Sequence, residues 1–204
     1  MSTPTDAVAP APVADPAPLG LAAFALTTFL LSAANAGWMK NASGAAFLGY
    51  AFAYGGLGQL LAGMWEFKNR NVFGATAFST YGGFWIGIGL WVVLVHPASP
   101  AAAQKDLAWI LLAFAIFNTY MLVWSTQLNT AVFLVFLTLE LTEIVLFIGG
   151  FAGNANIGKV GGYIGIITAL VAWYTSAAGV GAGVTGKPIL PVGKPLLSLG
   201  GSSS

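Results

Sequence analysis

Charge is what this chain has least of: 7 Lys or Arg and 6 Asp or Glu among 204 residues, 6% in all. A soluble domain carries roughly a quarter of its residues charged, so in water this chain would expose large apolar surfaces. Cysteine is absent, which removes disulfide frameworks, thiolate metal sites and cysteine nucleophiles together. The single histidine, His96, falls in a proline-flanked break and not in an apolar segment. No metal site or cofactor is expected. A net charge of +1 with no Lys/Arg cluster leaves nothing to follow a phosphate backbone, and nucleic acid is excluded as a partner. Residues 1–17 lack any Lys or Arg and are broken by Pro4, Pro10, Pro12 and Pro16, whereas a cleavable signal needs a basic start and an apolar core. They predict a flexible Ala/Pro-rich tail over 1–14.

What fills the chain instead is apolar sequence, 57% of it. Charge-free stretches run over 16–39, 41–65, 71–104, 107–139 and 160–186. A spanning helix needs about 20 mainly apolar residues to cross roughly 30 Å of hydrocarbon. The hydropathy predicts six segments, 18–38, 44–66, 72–95, 107–127, 130–153 and 160–182, each about 32–36 Å long at 1.5 Å per residue. The fold class is therefore an all-α integral membrane protein with six transmembrane helices, a multi-pass protein of the cell membrane embedded in lipid. The break at Gln127 to Asn129 demands a tight turn, and five spans is the alternative count. The membrane domain is placed at 15–186 and a C-terminal tail at 187–204.

Six spans put both termini on one side, with Lys68, Arg70, Lys187 and Lys194 against Lys40, Lys105 and Lys159 opposite. The positive-inside rule then places both termini in the cytoplasm. Trp38, Trp65, Trp109, Trp124 and Trp173 read as interfacial anchors near span ends. Glycines recur at helical spacing in Gly83/Gly87, Gly158/Gly162, Gly161/Gly165 and Gly179/Gly183. Such pairs let helix backbones approach closely in lipid, either inside one protomer or between protomers.

Function has to be read from polar residues at membrane depth. Glu140 and Glu143 lie three residues apart near one face of the fifth span, with no Lys or Arg in any span to pair with them. An intramembrane carboxylate is costly and is a functional-site candidate by default. Proton coupling is the functional reading of this pair, and a hydrogen-bonded carboxyl joining helices is the structural one. Thr27, Thr28, Asn35, Gln59, Thr80 and Asn118 add neutral donors and acceptors in the first four spans. They are candidates for a substrate pathway suited to a small polar or weakly anionic solute, or for interhelical hydrogen bonds. Intramembrane catalysis is not expected, because no His or Cys accompanies the two glutamates. The short tails argue against a sensor or assembly subunit.

Asp15-Pro16-Ala17-Pro18-Leu19-Gly20-Leu21 reads locally as a helix start, with proline in the first turn and an acid at the positive end of the dipole. It also resembles the Asn-Pro-Ala-Pro-Leu-Gly-Leu signature of the acetate uptake transporter family. The likeness continues through Tyr54-Gly55-Gly56, Gln59, Ala62-Gly63, Glu66, Asn71, Phe73-Gly74, Thr76-Ala77-Phe78, Tyr81-Gly82, Phe84-Trp85, Gly149-Gly150 and Gly153-Asn154, over about 15–190. The resemblance implies a hexameric ring with one pore per protomer and a constriction at Phe24, Tyr81 and Leu139. It implies uptake of acetate and related short carboxylates, succinate included, as a proton-coupled carrier or an anion channel. A hexameric urea or amide channel is the alternative. Asp15 departs from the signature Asn, and Glu140 and Glu143 stand where the family's bacterial permeases carry uncharged residues.

Overall fold

The computed structural model describes residues 13–40 and 42–197. Residues 1–12 and 198–204, which hold most of one expected tail and the end of the other, and Asn41 in the first break lie outside the described residues.

Proline and asparagine set most of the helix starts. Helix α1 (Ala17–Asn35) begins after Pro16, carries Pro18 in its first turn, and has the Ala17 N–H donating to Asp15 Oδ1 at 2.9 Å. Helix α2 (Phe47–Phe52) passes without a break into a π-helical turn (Ala53–Gly58) and then into α3 (Gln59–Lys68). In α4 (Val72–Leu94), α6 (Thr130–Ala152) and α7 (Ala155–Thr185), the asparagines Asn71, Asn129 and Asn154 accept N–H bonds from the first turn. Ser99 does the same for α5 (Pro100–Ser125). Each cap satisfies backbone donors that a helix start leaves orphaned.

The break in greatest doubt is real: α5 stops at Ser125 and α6 starts at Thr130. The turn holds because Gln127 and Leu128 donate backward to Trp124 and Ser125 while Asn129 caps forward. Between α6 and α7 only Gly153 and Asn154 intervene. Gly153 adopts φ 62°, the left-handed conformation glycine takes without penalty, and Asn154 N–H returns to Gly149 O at 3.0 Å. Two helices outrun the expected spans, α5 beginning at Pro100 and α7 covering 31 residues from Ala155, while α1 stops at Asn35, short of the expected 38.

Among the described residues, five helices, α1, α4, α5, α6 and α7, are long and apolar enough to cross a membrane. The expected second span corresponds to α2, the π-helical turn and α3. The short connections 69–71, 126–129 and 153–154 make their flanking helices antiparallel neighbours. Helix α7 packs against both α1 and α6, α6 against α5, and α3 against α4. One end of the bundle thus gathers the start of α1, the turns after α3 and α5, and the end of α7. Residues 187–197 are tied to that end: Ala131 N–H donates to Val192 O at 2.9 Å, Thr130 Oγ1 to Lys194 O at 2.7 Å, and Tyr174 Oη to Pro191 O at 2.7 Å.

Polarity is inverted relative to a soluble protein. Gln59, Glu66 and Asn118 are among the largest fully buried side chains, while Leu61, Trp109, Ile116, Val123 and Leu170 face outward. Such a surface suits hydrocarbon, where apolar side chains cost nothing and polar groups must be satisfied inside. The glycine pairs divide accordingly. Gly161 and Gly165 abut Leu146, Ser32 and Thr142, so they serve packing inside the protomer; Gly83 and Gly87 meet nothing and lie open on α4. Trp38, Trp65, Trp109 and Trp124 are exposed, whereas Trp173 lies mid-helix against Phe29 at 5.4 Å between ring centroids.

Candidate functional site: a barrier between two buried cavities

Gly55 in the π-helical turn lets α1 come so close that a Cβ there would sit 2.7 Å from Thr27 Cβ, and a Cβ on Gly82 would meet Leu60 N at 2.8 Å. These approaches draw α1, α3 and α4 together and fix Phe24 of α1 beside Tyr81 of α4. Their rings meet edge-on at 5.9 Å, and both side chains, with Leu139 of α6, are buried. Phe84, Phe114 and Phe117 pack around the Tyr81 ring with centroids 5.5–6.2 Å away. Such edge-to-face and tilted ring contacts favour one position for an aromatic side chain.

Phe24, Tyr81 and Leu139 belong to the walls of two cavities at once. On one side a cavity of about 40 Å³ is lined by Thr28, Ser32, Asn35, Trp85 and Glu143. It shares Leu31, Asn35, Phe84, Leu111 and Leu146 with a vestibule of about 460 Å³ towards the α4–α5 end. On the other side a cavity of about 20 Å³ is lined by Gln59, Phe78 and Phe136. Through Leu21 it adjoins a cavity of about 210 Å³ between Asp15, Asn129 and the docked 187–197 segment. A row of hollows thus runs along the bundle, interrupted by three side chains.

Behind the barrier the polar groups form one network. Asn118, fully buried on α5, donates from Nδ2 to Glu140 Oε2 at 2.7 Å and to Phe136 O at 3.0 Å, and its Oδ1 accepts the Tyr81 hydroxyl at 3.0 Å. Thr119 Oγ1 reaches Glu140 Oε1 at 2.8 Å. The Tyr81 hydroxyl also lies 3.3 Å from Glu143 Oε1. A phenol has a single proton to donate, and here two acceptors lie within reach of it.

Buried polar atoms in proteins almost always have partners. Among the described residues, Thr28 Oγ1, Gln59 Oε1, Trp85 Nε1 and Glu143 Oε2 are buried with none. All four side chains line the two cavities flanking the barrier. Two further orphans, Glu66 Oε1 and Ser79 Oγ, lie elsewhere on α3 and α4.

The pathway candidates separate on this geometry. Thr28, Asn35 and Gln59 line the cavities. Thr27 is buried against Gly55 and donates to Ala23 O at 3.0 Å, so it packs α1 on the π-helical turn. Thr80 is partly buried and lines none of these cavities, and Asn118 stands behind the barrier as the centre of the network. Trp85 lines the cavity of about 40 Å³ as well. An indole N–H inside a glycine-rich apolar helix carries no charge or spacing signal, and only its orphaned donor marks it.

The chain is an α-helical membrane protein whose interior holds hollows on both sides of one aromatic and aliphatic barrier. The GPR1/FUN34/yaaH family profile matches residues 2–187, and the chain belongs to that family. It is 40% identical over 195 residues to acetate permease A of Emericella nidulans, covering 88% of this chain and 65% of that one. It is 35% identical over 185 residues to the succinate-acetate/proton symporter SatP of Escherichia coli, covering 89% of this chain and 96% of the relative. A solved structure described as the bacterial acetate channel SatP superposes with a TM-score of 0.81 at 33% identity, covering 89% of this chain and all of that one. The chain spans 64% and 65% of the length of its first two fungal relatives.

Proposed function

We propose that this protein carries acetate and related short carboxylates, succinate included, across the cell membrane along the row of hollows through the bundle. The observation that carries this reading is the set of four buried, unpartnered polar atoms on side chains that line the cavities on either side of the barrier. A structural interior would satisfy them, whereas a path for a polar solute keeps donors and acceptors free to meet it. Relatives named acetate permease and succinate-acetate/proton symporter supply the chemical class. Transport, not catalysis, is the activity.

In this reading Phe24, Tyr81 and Leu139 are the constriction and Thr28, Asn35 and Gln59 the lining. Glu140 and Glu143 are the sites at which protons couple to flux. Helices α2 and α3 with the intervening π-helical turn form one span, giving six spans and both termini in the cytoplasm. The protomers assemble as a hexamer with one pore each, and the open Gly83/Gly87 face of α4 suits close contact with a neighbour.

Uptake of labelled acetate into proteoliposomes tests the proposal. Unlabelled acetate and propionate should suppress it, while urea and glucose should not. Urea flux without acetate flux would overturn it in favour of an amide channel.

A further inference from the structure

Beyond Thr185 the chain turns back onto the bundle. Gly186 ends α7 at φ 70°, the left-handed cap that glycine takes without penalty, and a Cβ there would meet nothing within 4 Å. From that free pivot residues 187–197 run as irregular chain across the end of the bundle, stiffened by Pro188, Pro191 and Pro195. Proline fixes its own φ and narrows the choices of the residue before it, so little conformational freedom is lost when the segment docks. The hydrogen bonds that tie it to the α5–α6 turn and to Tyr174 use its main chain. Val192 O accepts from Ala131 N–H, Lys194 O from Thr130 Oγ1 and Pro191 O from Tyr174 Oη, while the N–H groups of Leu196 and Leu197 donate to Thr126 O at 2.9 and 3.1 Å.

Within the segment only Leu190 and Val192 are half-buried; Ile189, Leu196 and Leu197 are 53%, 49% and 55% exposed. A stretch held by exposed main-chain hydrogen bonds and little buried apolar surface belongs to the part of a protein that opens first. Leu190 and Val192, with Pro188, wall the cavity of about 210 Å³ that also touches Asp15, Pro18 and Leu21 at the entrance to α1. Through Leu21 that cavity adjoins the one of about 20 Å³ beside the barrier, so the segment stands at the mouth of the row of hollows. We propose that residues 187–197 are a hinged strap that gates this mouth. Docked, Leu190 and Val192 close its side; released about Gly186, the strap opens the cavity to water, and its release limits flux. The inference rests on the transport reading above and adds the gate. The strap begins where the match to the family profile ends, at residue 187.

Two side chains of the bundle act as latches. Tyr174 on α7 and Thr130 at the start of α6 each give a hydroxyl proton to a strap carbonyl at 2.7 Å. Neither lines the cavity that the strap walls; both line a separate groove with Pro191, Val192 and Gly193. Replacing them by Phe and Val removes one hydroxyl each, so docking is weakened while the pathway is left as it is. Each lost bond should raise the released fraction about fivefold, the worth of a neutral hydrogen bond.

The test uses the full chain. It has no cysteine, so Leu190→Cys places a single reporter thiol on the inner side of the strap. A maleimide carrying a long polymer is far too large for a cavity of about 210 Å³ and reacts only with the released strap. In detergent, Tyr174→Phe and Thr130→Val should each speed labelling of that thiol about fivefold, and the two together by roughly the product. Initial acetate uptake into proteoliposomes, measured with Leu190 in place, should rise in the same order: parent, single variants, double variant. Either latch variant decides alone should the other fail to fold. Faster labelling at unchanged acetate flux would overturn the gate and leave a segment that only caps the ends of α5 and α6. A thiol that never labels in a chain that still transports acetate would overturn it too, because the strap would then be a fixed wall. In both cases the transport reading stands. A parent that takes up no acetate, whatever its thiol reports, would remove the transport reading and the gate with it.

Discussion

The Tyr81 hydroxyl of α4 meets Asn118 Oδ1 of α5 at 3.0 Å, and this bond ties the barrier ring to the buried carboxylates of α6. Asn118 has no exposed surface and hands its own amide protons to Glu140 and Phe136. Its oxygen is left to orient Tyr81. Tyr81→Phe keeps the ring and its aromatic neighbours but strands that oxygen. The expected result is unchanged size selectivity with a thermal stability loss of about 0.6 and at most about 1.7 kcal/mol, the average and maximum measured for interhelical hydrogen bonds in a helical membrane protein. Thermal unfolding in detergent and competition with larger monocarboxylates check the two halves.

Widening the barrier is the complementary change. Phe24→Ala or Leu139→Ala would join the cavities of about 40 and about 20 Å³ that these side chains separate. Each should admit larger monocarboxylates such as butyrate and raise their flux relative to acetate. Parental selectivity in two variants that assemble normally would place the constriction elsewhere.

Glu140 and its neighbours allow a separation of charge from hydrogen bonding. Glu140→Gln can still accept from Asn118 and can donate to Thr119, so the variant should assemble and melt near the parent. Glu140→Leu leaves the Asn118 and Thr119 side chains without their shared partner and should melt measurably lower. Equal melting of the two variants would mean that the network contributes little to stability.

The glycines of α4 predict two different failures. A methyl on Gly82 would collide with the backbone of Leu60 at 2.8 Å, while one on Gly83 meets nothing within the chain. Gly82→Ala should therefore cut the yield of folded protomer. Gly83→Ile should leave the protomer folded yet shift the oligomer towards smaller species in native mass spectrometry. An intact hexamer in Gly83→Ile would move the protomer interface away from this face.

Sequence alone determined the membrane class, because a chain with 6% charge has no soluble way to bury its apolar segments, and hydropathy registers that directly. It also placed the helix breaks, since Asn71, Asn129 and Gly153-Asn154 cap and stop helices through local hydrogen bonds and backbone angles that residue type dictates. Phe24, Tyr81 and Leu139 are legible through likeness to a family and through no periodicity in the chain. Tertiary structure decided which polar residues face a cavity. Thr27 and Thr28 are adjacent and chemically identical, yet one packs on Gly55 while the other lines the cavity beside Glu143, its hydroxyl buried without a partner. Neighbouring helix positions point about 100° apart, and which direction is interior depends on where α7, α3 and the π-helical turn settle around α1. Trp85 shows the same limit from the other side: its indole reads as one more apolar group until the fold leaves its N–H buried and without a partner.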